Sequence, residues 1–408
     1  MGTKKQQNRV IIIGAGIVGL TSAYLLAKQG FRVTVLDKNK QPADGTSKGN
    51  AGQLIYNFGA MGSSSFLRNL PNAILKNEKT GIIVSELWHP RNWNWVAAFI
   101  GQCTSKAWNN NSLKLIEMAH RSRKILNEFR HDFGIDFNWR KDGKINLHET
   151  YQDLVTATKV AEFQQNHGGN HRIISKEECL EKEPALKGST RHFAGGTYLP
   201  DAEIGDCRLF CQQLAEILKT RFNCQFHFNT EITNLRRSNN KIIAAESQVG
   251  IFEADFFINC AGILADKLLS GSFKGKKPLI GIKGISLTFE KGKSPPKLSV
   301  TDSAGKFVMC SLGEKVRVAG YAIFSNNLAI NPMHILLLKD KAISLMPDAA
   351  KYNSPPEIWT GLRPQTPDDL PMIGKAGAEN LFVNAGHGSS GWILAFGAAE
   401  KLLKIIKE

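Results

Sequence analysis

The sequence predicts a mixed α/β protein in which a dinucleotide-binding, Rossmann-like domain is interleaved with a second domain built on a mixed sheet. Three observations predict this fold: a glycine-rich turn between a strand and a helix near the N-terminus, two later strands that each end at a glycine, and helix-periodic segments between them. The chain has 408 residues, 42% hydrophobic and 22% charged, which is typical of a soluble globular protein and long enough for two domains.

The first unit is a strand, a turn, a helix and a second strand. The turn consists of Gly14, Ala15, Gly16, Ile17, Val18 and Gly19, and it follows the apolar run 10–13. Glycines there permit the close approach of a pyrophosphate, whose charge the helix N-terminus stabilises. The second strand, 32–36, ends at Asp37 and Lys38, and an acid at this offset can hydrogen-bond a ribose diol. The unit predicts dinucleotide binding.

Two distant segments end in the same way. A strand over 254–260 reaches Ala261 and Gly262, and a strand over 380–385 reaches Gly386. The second of these continues through His387, Gly388, Ser389, Ser390 and Gly391 into an apolar helix that begins near Trp392. A nicotinamide-dependent dehydrogenase normally keeps its nucleotide domain in one block. A chain that returns to the site at its C-terminus suits a larger, permanently bound cofactor, and we expect non-covalent FAD.

The remaining periodicity predicts the other elements. Helices are expected over 112–130 and 208–222, and strands near 143–148, 225–235, 242–249, 254–260, 285–290 and 316–322. Segments 270–278 and 291–297 are expected to be loops. We assign 1–60, 195–275 and 355–408 to the dinucleotide-binding domain, and 61–194 and 276–354 to a substrate-binding domain.

Charge and cysteine content narrow the function classes. The net charge of +16 favours anionic partners, although a solvated basic surface explains it equally well. No concentrated basic patch is interleaved with stacking aromatics, so no nucleic acid is expected. Seven cysteines without paired spacing indicate reduced thiols in a cytoplasmic setting and no metal site. No apolar run approaches the roughly 20 residues that span a bilayer.

Several motifs resemble one enzyme family. They are Thr46 and Ser47 with Asn50, Ala51, Gly52 and Gln53; Leu199 to Asp201 with Gly205 to Cys207; Trp359 to Pro364 with Thr366 to Asp368; and Asn384 to Gly388 with Gly391 and Trp392. Over residues 9–406 the chain resembles the glycine oxidase and D-amino-acid oxidase superfamily of flavoenzymes, and within it the bacterial D-amino-acid dehydrogenases.

The resemblance implies an FAD domain of the glutathione-reductase and D-amino-acid-oxidase type. In that family Asp37 would bind the adenosine ribose, Ile232 would contact the cofactor, and the loop from Thr46 to Gln53 would lead to the flavin ring. Two departures are visible. The chain has Ser389 and Ser390 where the family usually has Thr-Leu, and Gly320-Tyr321-Ala322 where it commonly carries an acid. The second departure falls in the predicted substrate domain.

Arg363 is the first candidate for catalysis. In the superfamily the arginine of the matching Gly-Leu-Arg-Pro motif binds the substrate carboxylate, for which a guanidinium fork is suited. The alternative is a structural pair with a neighbouring acid such as Asp368. Tyr56, with Phe58, is expected to wall an apolar pocket over the flavin, or else to pack in the core. His387 is a candidate for a direct role, or for a structural one between its glycines.

The resemblance implies oxidation of D-amino acids to imino acids, which hydrolyse to 2-oxo acids and ammonia. Hydride would leave the α-carbon for FAD, and electrons would pass to a membrane quinone. The backbone N–H groups of 388–391 would stabilise negative charge on the reduced ring. The alternative is an oxidase of glycine, sarcosine, D-proline or hydroxyproline that returns electrons to oxygen.

A tryptophan-rich segment predicts contact with lipid. Four of the seven tryptophans, Trp88, Trp93, Trp95 and Trp108, lie within 88–108 among apolar and basic residues, a composition that favours membrane interfaces. We expect 88–108, and 65–76 with it, to touch a membrane surface; a core-packed helix is the alternative. The expected location is cytoplasmic or peripheral on the inner face of the cell membrane.

Overall fold

In the computed structural model the described residues are 7–62, 81–84, 86–87, 89–269 and 273–408. Their strands, in chain order, are β1 (Arg9–Ile13), β2 (Arg32–Leu36), β3 (Gln53–Leu54), β4 (Ile82–Ile83), β5 (Lys144–His148), β6 (Arg172–Ser175), β7 (Gly195–Leu199), β8 (Glu203–Ile204), β9 (Gln225–His227), β10 (Ile232–Ser238), β11 (Lys241–Ser247), β12 (Gly250–Phe252), β13 (Phe256–Asn259), β14 (Ile280–Glu290), β15 (Ser299–Asp302), β16 (Phe307–Leu312), β17 (Lys315–Phe324), β18 (Glu357–Gln365), β19 (Met372–Lys375) and β20 (Leu381–Ala385).

The α-helices are α1 (Ile17–Lys28), α2 (Trp93–Gln102), α3 (Ser105–Phe133), α4 (Tyr151–Gln165), α5 (Lys176–Lys182), α6 (Cys207–Phe222), α7 (Ala265–Leu268), α8 (Pro332–Leu345) and α9 (Gly391–Lys407). Local signals set several helix ends. The Thr104 hydroxyl accepts from Ala107 N at the start of α3, and Gly134 ends that helix in the left-handed region. The Asp206 carboxylate accepts from Arg208 N and Leu209 N at the start of α6.

The first sheet has the strand order β19-β20-β13-β1-β2-β9. β20, β13, β1, β2 and β9 are parallel, and β19 is antiparallel to β20. The central strands are apolar along their length because both faces are covered. Helices α1, α3, α6 and α9 pack on one face, and the small antiparallel sheet β10-β11-β12 covers the other. The carboxyl ends of the parallel strands therefore meet at one edge, where a nucleotide site is expected.

The second sheet is larger and mixed, with the order β18-β14-β17-β16-β15-β5-β7-β6 and β4 paired to β17. Its pairs are antiparallel except β5 with β15 and β4 with β17, which are parallel. β14 begins five residues before the predicted strand 285–290. Ten of its eleven residues are buried. Helices α5 and α8 pack against this sheet through a second hydrophobic cluster.

The predicted fold class is confirmed, because a parallel dinucleotide-type sheet and a mixed sheet are both present and interleaved along the chain. The predicted helices correspond to α3 and α6, and α3 is longer than predicted at both ends.

The division into domains stays a prediction, and three elements lie differently from its boundaries. β7 pairs with β5, and β18 pairs with β14, so both belong to the second sheet although 195–275 and 355–408 were assigned to the dinucleotide-binding domain. Helix α3, in the segment 61–194, packs with the helices of the first sheet. Pairing between distant strands leaves no trace in local periodicity, so these placements depend on tertiary contacts.

Helices α3 and α9 approach so closely that a Cβ on Gly397 would overlap the carbonyl oxygen of Met118. Replacing Gly397 by Ala should force the helices apart and lower the free energy of unfolding by about 1–3 kcal/mol. Urea denaturation measures this change. The control is Gly101→Ala in α2, where an added Cβ meets no described atom within 4 Å and the helix should gain up to about 1 kcal/mol. Equal stability of Gly397→Ala and wild type would contradict the packing.

Candidate cofactor and substrate site

The glycine turn between β1 and α1 has no room for side chains. Gly14 has a φ of 113°, and a Cβ there would lie 2.5 Å from the carbonyl oxygen of Cys260. A Cβ on Gly19 would overlap the carbonyl oxygen of Gly14, so this residue lets α1 pack against the turn. Gly16 is the N-cap of α1 and offers no side-chain cap. The first backbone N–H groups of α1 are thus left for an anionic ligand or a neighbouring side chain.

Asp37 follows β2 and lies beside this turn. Its Oδ2 accepts from Ala15 N at 2.5 Å, and its Oδ1 accepts from Asn39 N at 2.7 Å. These two bonds fix the carboxylate at the carboxyl edge of the first sheet, next to Lys38. The structure therefore brings the predicted acid and the predicted glycine turn together.

The segment from Thr46 to Gln53 connects the first sheet to the second. The Ser47 hydroxyl accepts from Ile17 N at 3.1 Å, and the Thr46 hydroxyl donates to the carbonyl oxygen of Leu362 at 2.8 Å. The Arg317 guanidinium donates to the carbonyl oxygen of Asn50 at 2.9 Å. The start of the segment is thus tied both to helix α1 and to strand β18, and its middle is tied to strand β17.

The C-terminal turn follows β20. Gly386 and Gly388 have φ values of 84° and 54°, which favour glycine, and the chain then enters α9 at Gly391. His387 is 3% exposed, and burial lowers its pKa to about 3. At physiological pH its imidazole is therefore neutral.

Arg363 lies on β18, and its side chain crosses the neighbouring strand β14. A Cβ on Gly284 would lie 2.8 Å from the Arg363 Cζ, so the guanidinium sits over a position that only glycine leaves open. Its Nη1 donates to the carbonyl oxygen of Tyr321 at 3.0 Å. Burial lowers the pKa of Arg363 to about 10, which still leaves it protonated at neutral pH. Asp368, the alternative partner, instead binds Lys277 at 2.6 Å.

A cavity of about 1030 Å³ joins all of these segments. The predicted site residues that line it are Gly14, Gly16, Ile17, Val18, Asp37, Lys38, Thr46, Ser47, Asn50, Ala51, Gln53, Ile232, Ala261, Gly262, Arg363, Gly386, His387, Gly388, Ser389, Ser390, Gly391 and Trp392. Ala15, Gly19 and Gly52 shape the same turns through their backbone. A single cavity therefore runs from the nucleotide edge of the first sheet to the guanidinium on the second.

A family model described as DAO, FAD-dependent oxidoreductase, matches residues 9–404. This chain belongs to the DAO family of FAD-dependent oxidoreductases. Among its curated relatives are the D-amino acid dehydrogenases of Vibrio vulnificus (29% identical over 401 residues, 98% of this chain and 95% of the relative) and Chromohalobacter salexigens (32% over 411 residues, 98% and 95%). D-amino acid dehydrogenase 2 of Pseudomonas aeruginosa is 32% identical over 408 residues, which cover 98% of this chain and 94% of the relative.

Solved structures of this family share the fold. Glycine oxidase from Bacillus cereus superposes with a TM-score of 0.75 at 20% identity, covering 98% of this chain and 95% of that one. L-proline dehydrogenase from P. horikoshii gives 0.73 at 19% identity, covering 98% and 93%. The fold predicted for the cofactor domain is thereby confirmed.

The residues of the DAO-family site fit FAD, and the predicted cofactor is confirmed. The glycine turn and the start of α1 would hold the pyrophosphate, with Asp37 near the ribose. Three buried polar atoms on the cavity wall have no hydrogen-bond partner among the described residues: His387 Nε2, Trp392 Nε1 and Asn384 Oδ1. Buried polar groups are rarely left unpaired, so this wall is suited to the polar groups of a cofactor.

Tyr56 packs in the core, which is the second of the two positions that the sequence left open. Its hydroxyl donates to Glu203 Oε2 at 3.1 Å, and the Arg123 guanidinium lies 4.9 Å from its ring centre. Burial and the Glu203 charge hold the pKa of Tyr56 well above its usual value. The side chain belongs to the hydrophobic cluster with α3, whereas Phe58, two residues later, lines the cavity. Two residues along an irregular segment suffice to turn one side chain inward and the other to the cavity.

The sequence analysis did not identify Lys144, whose ammonium group hydrogen-bonds the side chain of Gln53. Lys144 Nζ donates to Gln53 Oε1 at 3.0 Å, and Gln53 Nε2 donates to the Ser299 hydroxyl at 2.5 Å. These bonds fix the orientation of the Gln53 amide at the cavity wall. The alternation in β5, with Lys144 and Asn146 on one face, is typical of a solvent-exposed face. The segment that contains Gln53 covers Lys144 instead, and burial lowers its pKa to about 7.

Lys144 should make stability depend on pH. Its pKa is about 7 in the folded chain and about 10.5 when unfolded. Between these values the unfolded state binds more protons, so wild type should gain about 1.4 kcal/mol per pH unit relative to Lys144→Met. Below pH 7 both states are protonated, and the difference should be flat. Urea denaturation from pH 6 to 10 at constant FAD measures it, with the exposed Lys159→Met as control. A flat difference throughout would show that Lys144 stays charged when folded.

Proposed function

We propose that this enzyme oxidises D-amino acids to imino acids, which hydrolyse to 2-oxo acids and ammonia. The observation that carries the proposal is the half-buried Arg363 guanidinium on the cavity wall, which has no carboxylate partner in the described part of the chain. A substrate carboxylate fits such a fork with two charge-assisted hydrogen bonds. The D-amino acid dehydrogenase names of relatives at 29–32% identity support the substrate class and its configuration.

The electrostatics of the cavity favour an anionic group at Arg363. A half-buried, protonated guanidinium whose one described hydrogen bond goes to a neutral carbonyl keeps its charge uncompensated. Burying such a charge is costly, and an anion that binds it recovers part of that cost. The acids that line the cavity are Asp37, Asp44 and Glu231, which lie on the side of the glycine turn and β10.

The residues around Arg363 can prepare the substrate for oxidation. FAD, when bound, supplies the two-electron acceptor. Arg363 holds the carboxylate and so limits the orientations of the α-carbon. Phe58, Met61 and Ile282 line the same cavity with apolar groups that exclude water and disfavour the charged ammonium form. The reactive neutral amine is thereby favoured without a dedicated general base.

We further propose that electrons leave for a membrane quinone and that α2 faces the lipid. Trp93 is 60% exposed and Ile100 is 51% exposed, and with Ala97 they share one face of α2. Two other tryptophans of the segment point towards the interior. Trp95 Nε1 donates to the carbonyl oxygen of Gln365, and Trp108 Nε1 donates to that of Ala60. Trp88 and 65–76 lie outside the described residues. None of the described helices could cross a bilayer.

Anaerobic stopped-flow spectroscopy of the flavin tests the proposed reaction. D-alanine or D-proline should bleach the oxidised flavin, and L-alanine should not. Reoxidation should be slow in air and fast with a soluble quinone. Rapid reoxidation in air with hydrogen peroxide would instead assign an oxidase, and a flavin that no amino acid reduces would overturn the function while leaving the fold.

Replacing Arg363 by Leu should lower kcat/KM for D-alanine by roughly a hundredfold or more, because charge-assisted hydrogen bonds to the carboxylate contribute about 1.5–3 kcal/mol each. Arg363→Lys should be intermediate, since an ammonium offers no fork. Flavin content of the purified variants controls for folding. Asp368→Asn distinguishes a carboxylate-binding Arg363 from an Arg363 that forms a structural pair with Asp368. Because Asp368 binds Lys277 instead, KM should change little in this variant. A large rise in KM for Asp368→Asn would favour a structural pair.

Lipid contact through α2 predicts that the double variant Trp93→Ser, Ile100→Ser floats less with anionic liposomes than wild type. The two side chains are 60% and 51% exposed, and thermal unfolding of the double variant shows whether its fold is retained. The control is Val249→Ser, Ile251→Ser in the hairpin of the small sheet, where the side chains are 62% and 56% exposed. Equal flotation of all three proteins would contradict the proposed contact between α2 and lipid.

A further inference from the structure

Strand β17 contains a bulge at the substrate end of the cavity. Lys283 pairs with Ile323, but Ile285 pairs with Gly320, so Tyr321 and Ala322 together face Gly284. Tyr321 has a φ of 66°, in the left-handed region that a bulky residue rarely adopts. Such strained positions persist only where the surroundings enforce them, and bulges near a site redirect groups towards it.

The group redirected here is the carbonyl of Tyr321. It accepts from Arg363 Nη1 at 3.0 Å, although β18, which carries Arg363, is separated from β17 by β14. The guanidinium reaches across β14 over Gly284, where a Cβ would lie 2.8 Å from Arg363 Cζ. The bulge and the glycine thus face the same guanidinium from adjacent strands.

The side chain of Tyr321 anchors the bulge from the other side of the sheet. Its ring is 3% exposed, lies in the hydrophobic cluster of the second sheet, and makes a tilted contact with the ring of His334 on α8, with the centroids 4.8 Å apart. Lys341 Nζ lies 5.5 Å from the ring centre. Packing of the ring against α8 therefore holds the residue in place while its backbone lines the cavity.

We propose that Tyr321 is a positioning residue for Arg363: its left-handed bulge aims a backbone carbonyl at the guanidinium and holds it in the orientation that receives a substrate carboxylate. The proposal rests on the proposed function. A neutral carbonyl orients the guanidinium without cancelling its charge, whereas an acidic side chain at this place would compete with the substrate. The remaining guanidinium donors stay available for a bidentate carboxylate.

A pair of substitutions separates the backbone conformation from the ring. Tyr321→Val and Tyr321→Asn both remove the ring, but only asparagine tolerates the left-handed region. The probe is anthranilate, an aromatic carboxylate, whose binding to the holoenzyme is measured from the change in flavin absorbance. Its Kd should rise about tenfold or more for Tyr321→Val and stay within about threefold of wild type for Tyr321→Asn. The KM for D-alanine should follow the Kd, and kcat should change less. Asn239→Val, at a left-handed position in the exposed hairpin between β10 and β11, controls for strain alone.

Gly284→Ala provides an independent variant if Tyr321→Val does not fold. Its Cβ would displace the guanidinium from above β14, so the Kd of anthranilate should rise as for Tyr321→Val. Wild-type affinity in both variants, or equal loss in the Val and Asn variants, would overturn the role of the bulge. If only Arg363→Leu loses anthranilate binding, the proposed carboxylate site is supported and the positioning role of Tyr321 is contradicted. Unchanged binding in Arg363→Leu would remove the carboxylate site and the proposed function together.

Discussion

The half-buried guanidinium of Arg363 is the constraint around which the second-sheet side of the cavity is arranged. A charge in this environment is unfavourable unless it is paired, and the nearest acidic candidate in the sequence, Asp368, is bound to Lys277. The fold compensates with geometry: a glycine beneath the guanidinium and a carbonyl beside it. Both features orient the group without neutralising it, so its charge stays available for the substrate carboxylate that we propose.

Much of the cofactor site was predictable because its signals are local. Gly14 to Gly19, Asp37 and the turn after β20 each combine a strand, a glycine and a helix within a few residues, and the cavity brings them together. Arg363, which a short motif singled out, lines the same cavity. In each case backbone geometry and chemistry are encoded in one short segment, so no knowledge of distant contacts is needed.

The residues that escaped prediction depend on pairing between distant segments. Lys144 is buried because the segment that carries Gln53 lies over β5. The bulge at Tyr321 exists only in relation to β14, and a tyrosine carries no signal for a left-handed φ. For Tyr56 the sequence left a cavity position and a core position open, because it follows a two-residue strand in which side-chain direction cannot be derived from alternation. The strands β7 and β18 joined the second sheet for the same reason, since partner choice is tertiary.

Hydrogen bonds connect the segment from Thr46 to Gln53, which follows the first sheet, to strands of the second sheet. Thr46 binds the backbone of β18 one residue before Arg363, and Arg317 on β17 binds the carbonyl of Asn50. The segment that leads from the nucleotide turn towards Gln53 is therefore tied directly to the strand that carries Arg363, the proposed carboxylate-binding group. A few hydrogen bonds therefore connect the predicted cofactor segment with Arg363. The hydride transfer that we propose depends on the distance between these two parts of the cavity, because the reacting groups must be held in a fixed orientation.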